Sequence, residues 1–458
     1  MFKKLKLLYI CSALVALSFL PVPDTCPAQT DIPPNLLDRV QKLIPGDGHA
    51  DDWFGMSVAV DRNIAVIGAA HSPLYGNNST TGRAYVFVRS GNNWKQRGKE
   101  LSSYLPQGAL EPGDNFGASV AVSGNTVIVG AWGDDGDDNN HPDAGAAYVF
   151  VRYTSPDNSS FPPPPIPSWK LQRKLTAPDG AVGDYFGTSV ALSGNTAVIG
   201  TPFDDDKGGG SGSADVFVRL DGQKWTKQAK LTAYDAEGTE FFGWSVSVSG
   251  DTALIGAWGD DDNGESSGSA YVCTRSGDVW TEQIKLTASD AAAYDFFGYS
   301  VSVSGSTAVV GAPYRDRNGI NNSGAAYVFE NENGAWPQKK ELPARTSRVA
   351  EEYFGYSVSA DGDIILIGAP APYSGDNGTA YWYTEPDWTL SGKLTAFDSE
   401  VYDAFGWSVS VDGGKSPVFF VGVPWDDDIG NASGSAYAFF TTKYGWLPVI
   451  YWWLLLRH

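Results

Sequence analysis

The sequence predicts an all-β fold, a seven-bladed β-propeller built from four-stranded antiparallel blades. Two observations predict it: one unit recurs seven times along the 458 residues, and each unit holds four short strand-like segments separated by turn residues. Glycine is abundant, with 53 copies, whereas long runs of helix-forming residues are missing. A lone unit of this size cannot cover its own apolar faces, so we expect the units to stack around an axis.

The repeat is marked by a Phe-Gly dipeptide that is followed each time by one variable residue and then Ser-Val. The seven phenylalanines are Phe54, Phe116, Phe186, Phe242, Phe297, Phe354 and Phe405.

The unit that begins at Phe242 shows the four predicted strands. SVSV (245–248) alternates in polarity, and TALIGA (252–257) is almost continuously apolar, which suits a strand covered on both faces. GSAYVCTR (268–275) forms the third strand, and the more polar WTEQIKLTA (280–288) forms the outer one. A tryptophan opens each fourth strand and is predicted to pack between blades: Trp94, Trp169, Trp225, Trp280, Trp336, Trp388 and Trp446.

The ring is predicted to close through an N-terminal strand. The first three strands occur seven times, but only six fourth strands lie between them. The segment VQKLIPGDG (40–48) matches the KLTAxDG of the other fourth strands and can complete the last blade without leaving a free edge. The C-terminal tail, in which Trp446 matches the opening tryptophan, competes for the same position.

The chain ends predict export. Residues 1–28 combine three lysines, an apolar run and small residues near Ala28, as a secretory signal peptide does. Residues 29–38 are read as a linker, 39–445 as the propeller and 446–458 as an apolar tail too short to span a bilayer. The net charge of −21 argues against nucleic acid as a partner, because nucleic-acid affinity is built on basic contacts. Cys273 is expected to be a small buried hydrophobe.

With these motifs in place, the chain resembles the FG-GAP repeat family, the seven-bladed propeller of integrin α heads and of many secreted microbial proteins. The resemblance rests on the Phe-Gly motifs and on later Gly-Ala-Pro-like motifs at 130–132, 200–202, 256–258, 311–313, 368–370 and 422–424. It implies an extracellular recognition or adhesion platform rather than an enzyme. Integrin-like repeats carry DxDxDGxxD calcium loops between the first two strands, but in this chain that connection is only SGN or SGD. The family's calcium ligands are therefore not carried over.

Acidic residues gather instead in the connections between the second and third strands, which are expected on the same propeller face as the blade-to-blade connections. The predicted ligand face consists of Asp204, Asp206, Trp258, Asp260, Asp261, Asp262, Trp425, Asp426 and Asp428. A Ca²⁺ site is predicted at Asp135, Asp137, Asn139 and Asp143, whose alternate spacing suits a cation-binding turn. The competing interpretation of these loops is solvated Asx turns.

A second acidic pattern stands two residues before each Phe-Gly phenylalanine. Its members are Asp52, Asp114, Asp184, Glu240, Asp295, Glu352 and Asp403. They are predicted to form an axial ring, as acceptors for backbone N–H groups, as an anionic funnel that concentrates cations, or as both.

These features favour a secreted or surface-exposed monomer that binds an extracellular protein or glycan through its acidic loop face, with Ca²⁺ as a candidate cofactor. The alternative is a glycan hydrolase or lyase that uses ring carboxylates, with Asp184 and Asp295 among the candidates. Sevenfold recurrence favours the structural role, since an active site usually breaks the symmetry of a repeat.

Overall fold

The computed structural model describes residues 37–70, 81–136, 141–152, 169–317, 319–343, 350–414 and 416–441. In this part of the chain, 28 strands form seven four-stranded antiparallel sheets, which confirms the predicted seven-bladed propeller. The predicted signal peptide (1–28) and the apolar tail (446–458) lie outside the described residues.

In blades 1 to 6 the strands follow chain order from the innermost to the outermost. Blade 1 consists of β2 (Phe54–Asp61), β3 (Ile64–Ala69), β4 (Arg83–Ser90) and β5 (Asn93–Gln96). Blade 2 consists of β6 (Ser119–Ser123), β7 (Thr126–Ala131), β8 (Ala146–Arg152) and β9 (Trp169–Leu175). Blade 3 consists of β10 (Ser189–Ser193), β11 (Thr196–Thr201), β12 (Ser213–Leu220) and β13 (Lys224–Leu231). Blade 4 consists of β14 (Ser245–Ser249), β15 (Thr252–Ala257), β16 (Ser269–Ser276) and β17 (Val279–Leu286). Blade 5 consists of β18 (Ser300–Ser304), β19 (Thr307–Ala312), β20 (Ala325–Glu330) and β21 (Gln338–Pro343). Blade 6 consists of β22 (Ser357–Asp361), β23 (Ile364–Ala369), β24 (Thr379–Thr384) and β25 (Thr389–Leu394). A short 3₁₀ helix, Leu101–Tyr104, follows β5.

Blade 7 closes the ring. Its strands are β26 (Ser408–Asp412), β27 (Val418–Val423), β28 (Ser435–Thr441) and the N-terminal β1 (Leu37–Leu43). Strand β1 runs antiparallel to β28, with Val40 opposite Phe439, so the predicted closing strand is confirmed. It begins at Leu37, two residues before the predicted start of the propeller. Trp446, the competing candidate, lies outside the described residues.

The core lies between the blades, because the second strand of each blade is covered on both faces. In β15, Leu254 packs with Val272 and Phe297 towards blade 5, while Ile255 packs with the side chains that face blade 3. Cys273 is 1% exposed, as expected for a small hydrophobe.

The tryptophans that open the fourth strands pack between blades, as predicted for the six that the structure describes. The indole ring of Trp94 in blade 1 lies 5.0 Å from the ring of Phe420 in blade 7. The other buried members of the set are Trp169, Trp225, Trp280, Trp336 and Trp388.

One hydrogen bond repeats at every blade junction. The Ser245 hydroxyl of blade 4 donates to the Gly298 carbonyl, which belongs to the Phe-Gly motif of blade 5, at 2.8 Å. The same bond recurs from Ser57, Ser119, Ser189, Ser300 and Ser357 to the next blade's Phe-Gly glycine, at 2.8–2.9 Å. Ser408 donates to Gly55 and so ties blade 7 back to blade 1.

Two glycines make this junction possible for different reasons. Gly298, in the Phe-Gly motif, has φ +91°, which favours glycine. Gly256, in the Gly-Ala motif of the preceding blade, has an ordinary φ, but a Cβ there would lie 2.0 Å from the Gly298 carbonyl oxygen. The Phe-Gly and Gly-Ala motifs that define the repeat therefore contain the two glycines that meet at this close backbone contact between blades.

We expect Gly256→Ala to lower the free energy of unfolding by about 1–3 kcal/mol, because the added methyl group forces the blade 4–5 junction apart. Gly209→Ala is the matched control, since a Cβ at Gly209 meets no atom within 4 Å, and it should change stability by about 0.5 kcal/mol or less. Urea unfolding of both variants measures the difference. Equal stability of the two variants would contradict the role given to this contact.

Candidate ligand-binding face

The longer connections emerge on one side of the propeller, which we call the loop face. It is formed by the links between second and third strands and by the blade-to-blade links. In the described residues the opposite ends of the strands are joined by shorter turns such as Gly250-Asp251, and the link at 153–168 lies outside the described residues. Large exposed apolar side chains on the loop face are Ile44, Val182, Tyr234, Tyr294, Tyr373, Phe397, Val401, Tyr402 and Ile429. Exposed aromatic residues concentrated on one side are typical of an interaction surface.

In blade 4 the loop aspartates surround a lysine. The Lys285 ammonium lies 2.5 Å from Asp260 Oδ2, 2.5 Å from Asp262 Oδ2 and 2.9 Å from Asp235 Oδ2. Asp235 follows the outer strand of blade 3, so the lysine joins two blades. The Tyr271 hydroxyl hydrogen-bonds to Asp260 and Asp235. We call this arrangement of one ammonium among loop and linker carboxylates a lysine cage.

Blades 3 and 7 contain the same cage. Lys230 lies 2.6 Å from Asp204, 2.5 Å from Asp206 and 2.8 Å from Asp179. In blade 7 the cation is Lys42 of the closing strand β1, which contacts Asp426 at 2.8 Å, Asp398 at 3.1 Å and Asp428. Blade 2 has a smaller version, in which Lys174 lies 2.8 Å from Asp134.

The first aspartate of each cage is also fixed by its own loop. The other oxygen of Asp204 accepts the N–H of Asp206 at 3.0 Å, and Asp426 accepts that of Asp428 at 3.1 Å. Such Asx turns stabilise the local bend and aim the second oxygen at the lysine. Burial lowers the pKa of Lys285, but hydrogen bonds to its three aspartates outweigh that and hold the pKa above its usual value.

Blade 5 exchanges the signs of this arrangement. Arg315 stands four residues after its Gly-Ala glycine, where blade 4 has Asp260, and Glu341 faces Tyr327 across the sheet as Lys285 faces Tyr271. The Arg315 guanidinium lies 2.5 Å from Asp290 and 3.9 Å from Glu341. The cation has moved from the outer strand to the loop, while the positive charge among carboxylates is retained.

The loop face also carries a chain of aromatic rings, which we call the aromatic arc. Successive ring centroids lie 4.7–6.5 Å apart along Trp132, Tyr185, Phe203, Phe241, Trp258, Phe296, Tyr314, Tyr353, Tyr373 and Trp425. Four of them precede a Phe-Gly motif and have φ of +54° to +58°: Tyr185, Phe241, Phe296 and Tyr353. The N–H of Phe296 donates to the Ser266 carbonyl at 3.2 Å, which anchors this backbone to the neighbouring loop.

A second set of aromatic residues, the inner tier, follows Phe-Gly in blades 4 to 7. Its members Trp244, Tyr299, Tyr356 and Trp407 are half-buried, and their neighbouring rings lie 4.7–5.7 Å apart. The Trp244 and Trp407 rings lie 5.6 and 5.2 Å from Trp258 and Trp425 of the arc. Blades 1 to 3 have Met56, Ala118 and Thr188 at this position, so the tier breaks the sevenfold symmetry.

A cleft of about 370 Å³ opens at the blade 4–5 boundary of the loop face. Its lining includes Tyr294, Phe296, Tyr314, Asp290 and Arg315. The volume lies within the range of small ligand pockets, and the lining combines apolar rings with both signs of charge.

A family profile described as "FG-GAP repeat" matches seven segments of this chain: 37–87, 110–150, 169–217, 225–273, 280–329, 336–383 and 388–439. The chain belongs to the FG-GAP repeat family.

This FG-GAP propeller is also similar to integrin chains. It is 30% identical to integrin alpha-7 of Rattus norvegicus over 144 residues and 35% identical to integrin alpha-6 of Gallus gallus over 146 residues. Each match covers 28% of this chain but only 12–13% of the relative, so the chain spans about an eighth of the length of these curated relatives. Within the described residues, no helix has both the length and the apolar character needed to cross a membrane.

The seven acids before Phe-Gly are buried in the FG-GAP propeller, with 4–8% of each residue exposed. Five accept the backbone N–H of the residue three positions earlier, at 2.6–3.0 Å: Asp52, Asp114, Asp184, Asp295 and Asp403. Glu352 accepts the Tyr381 hydroxyl at 2.7 Å. Their burial and these hydrogen bonds favour the interpretation of the axial ring as acceptors for backbone N–H groups where the chain enters each inner strand.

The loop aspartates predicted as a ligand face differ in their exposure and in whether a lysine already contacts them. Asp204, Asp260 and Asp426 are buried in cages, and Asp206, Asp262 and Asp428 are exposed but bound to a lysine. Asp261 is exposed. Trp258 and Trp425 belong to the aromatic arc, whose phenylalanines and tyrosines the sequence reasoning missed. The position directly before each Phe-Gly was the signal that could have revealed four of them.

In blade 4 a lysine ammonium stands among the carboxylates that come closest to a metal-binding arrangement. Asp235, Asp260 and Asp262 are the group of described acids that converge closely enough to ligate one, yet all three contact Lys285 Nζ. In blade 2, Asp135 Oδ1 accepts the N–H of Asp143 at 3.1 Å, and burial together with the Asp135 charge raises the pKa of Asp143. Asp137 and Asn139 of the predicted site lie outside the described residues.

The buried ring acids predict a pH dependence of stability. Burial raises the pKa of Asp114 and Glu240 to about 7, and that of Asp184, Asp295 and Asp403 to about 6. Unfolded carboxyls titrate near pH 4, so between about pH 4 and 7 the folded state holds more protons than the unfolded state. The free energy of unfolding should therefore fall as the pH rises through this window. Urea unfolding should show a flatter fall for Glu240→Gln and an unchanged one for the exposed control Asp261→Asn.

Proposed function

We propose that this FG-GAP propeller is a secreted or surface-exposed monomer that binds an extracellular protein or glycan partner against its loop face. The observation that carries the proposal is the aromatic arc with its inner tier. Large, rigid aromatic side chains supply much contact area at low entropic cost, and they dominate binding hot spots. They also stack on sugar rings, so the same surface suits a glycan.

The asymmetry of the inner tier supports a binding role. A framework that only had to close a ring would repeat in all seven blades, as the Ser–Gly junction bonds do. Aromatic residues follow Phe-Gly only in blades 4 to 7, which points to that half of the loop face as the partner's position. The likeness to integrin α chains supports a protein-binding, adhesion-type role for the same fold.

The charge of the chain supports a partner with basic groups around its contact point. The net charge is −21, and exposed acids such as Asp261, Asp376 and Asp427 remain on the loop face outside the cages. Such a field accelerates the encounter with cationic partners and is weakened by salt. Catalysis is not part of the proposal, because the candidate acids Asp184 and Asp295 are buried and bonded to the backbone.

Substitutions on the loop face test the proposal once the partner has been isolated from the native surroundings. We expect Trp258→Ala and Asp261→Lys to weaken partner binding, each by about tenfold or more, because one removes a ring from the arc and the other reverses an exposed charge. Asp387→Lys introduces the same charge change in a turn on the opposite face and should leave affinity unchanged. Surface plasmon resonance measures all three variants, and equal affinities would place the binding site elsewhere.

We also propose that Ca²⁺ binds in the blade 2 loop through Asp135, Asp137, Asn139 and Asp143. The support is that Asp135 and Asp143 lie side by side and that carboxylate and amide oxygens at alternate positions suit this ion. Binding to the folded state alone at 100 times Kd stabilises it by about 2.7 kcal/mol.

Thermal unfolding in millimolar Ca²⁺ or in chelator, at constant ionic strength, tests this proposal. The melting temperature should be higher with Ca²⁺ in the wild type, and the difference should disappear in Asp135→Asn/Asp143→Asn. Asp261→Asn removes an equal charge from another loop and should retain the difference. Identical melting curves for the wild type in both buffers would contradict the Ca²⁺ site and favour the interpretation of these aspartates as solvated Asx turns.

A further inference from the structure

We infer that the ammonium groups of Lys42, Lys230 and Lys285 are built-in cations, which take the place of divalent ions on the loop face and close its carboxylate clusters to metal. It follows that removing one lysine turns its cage into a site for hard cations such as Ca²⁺ or Tb³⁺. The inference concerns how the loop face is held together. It does not depend on which partner the face binds.

The coordination of each lysine resembles that of a small cation. An ammonium has three N–H donors, and in each of the three cages it meets three carboxylates. The Nζ–oxygen distances around Lys285 are 2.5, 2.5 and 2.9 Å. A calcium ion binds oxygen at 2.3–2.6 Å, so it would need the same oxygen atoms at nearly the same separation.

A cation is favoured there because Asp260 and Asp235 are held close together, whereas the side chain of Asp262 is 62% exposed. Asp260 is 1% exposed, and its two oxygens are fixed by the Asp262 N–H and the Tyr271 hydroxyl. Asp235 is joined to the same hydroxyl at 3.0 Å. Like charges that are held this close in a buried setting repel strongly unless an opposite charge lies between them.

Blade 5 provides an independent observation. It keeps a positive charge among its carboxylates, although the residue that carries this charge is not a lysine of the outer strand. Its outer strand carries Glu341 in place of lysine, and the positive charge is supplied from the loop by Arg315. The Arg315 guanidinium still reaches Asp290 at 2.5 Å and Asp295 at 3.9 Å. Two opposite changes in sequence preserve one charge arrangement.

The geometry therefore indicates that lysine ammonium groups, rather than bound metal ions, hold the carboxylates of these three cages together. A divalent ion could enter only by displacing an ammonium that already contacts every carboxylate in the cage. These three cages are thus expected to keep their shape when divalent ions are removed. The blade 2 loop is separate from the three cages, and its aspartates are replaced in the variants that test the inference.

The test uses the full chain with Asp135→Asn/Asp143→Asn as the background, so that the blade 2 loop contributes no binding. In this background we expect no saturable Tb³⁺ luminescence at micromolar ion. Adding Lys285→Met keeps the length of the side chain but removes its charge. We expect it to create one Tb³⁺ site that binds about tenfold or more tightly than the background, excited through Tyr271 and displaced by Ca²⁺. Lys224→Met, which removes an exposed lysine from β13, should gain no site.

Thermal unfolding provides the second measurement. The Lys285→Met background variant should melt at a lower temperature in chelator and regain stability in Ca²⁺, whereas the parent background should melt at the same temperature in both. If Lys285→Met does not fold in chelator, refolding in Ca²⁺ but not in matched NaCl supports the inference. The variant Lys285→Met/Asp262→Asn lowers the cluster charge and should fold without any metal.

Two outcomes would overturn the inference. A folded Lys285→Met variant that binds Tb³⁺ no more tightly than its background would show that the ammonium does not stand in a cation site. Saturable Ca²⁺ or Tb³⁺ binding by the parent background that is lost in Asp260→Asn would show that the lysine does not exclude metal. Neither result would bear on partner binding, which the Trp258 and Asp261 variants test separately.

Discussion

The propeller depends on one close backbone approach between neighbouring blades. The carbonyl of each Phe-Gly glycine meets the Gly-Ala glycine and accepts the serine hydroxyl of the preceding blade, as Gly298 does from Ser245. Any side chain at Gly256 would separate the blades at this point, so the inner strands of the ring can close only with glycine on both sides. The defining motifs of the repeat are therefore a packing requirement, and they say little about the ligand.

The outer part of the loop face is held by charge. A chain with a net charge of −21 must place carboxylates close together, and three cages offset their repulsion with an ammonium from the outer strand. The cage of blade 7 uses Lys42 of the closing strand, so the same ion pairs that order a loop also hold the ends of the ring together. Breaking such a buried pair costs far more than its net contribution suggests, because an unpaired charge remains.

The positions that close the ring and those of the proposed binding surface separate along the repeat. Positions that close the ring are the same in every blade, whereas the position after Phe-Gly changes from Met56, Ala118 and Thr188 to the aromatic residues of blades 4 to 7. The buried acids before Phe-Gly belong to the first class, which is why their sevenfold recurrence signified backbone support. The inner tier belongs to the second class, and it marks one half of the loop face as different from the other.

The sequence by itself determined the seven blades, their strands, the closing segment β1 and the buried tryptophans, because period-two polarity and recurring motifs are local signals that only one closed ring satisfies. It did not determine what the aspartates do. Whether Asp260 ligates a metal or an ammonium depends on Lys285 at the far end of the next hairpin and on Asp235 of the preceding blade. The recurring Lys-Leu of the outer strands was visible in the sequence, but only tertiary packing brings its ammonium between carboxylates from two blades. The physical reason is that ion pairing depends on the distance between charges in space and not on their separation along the chain.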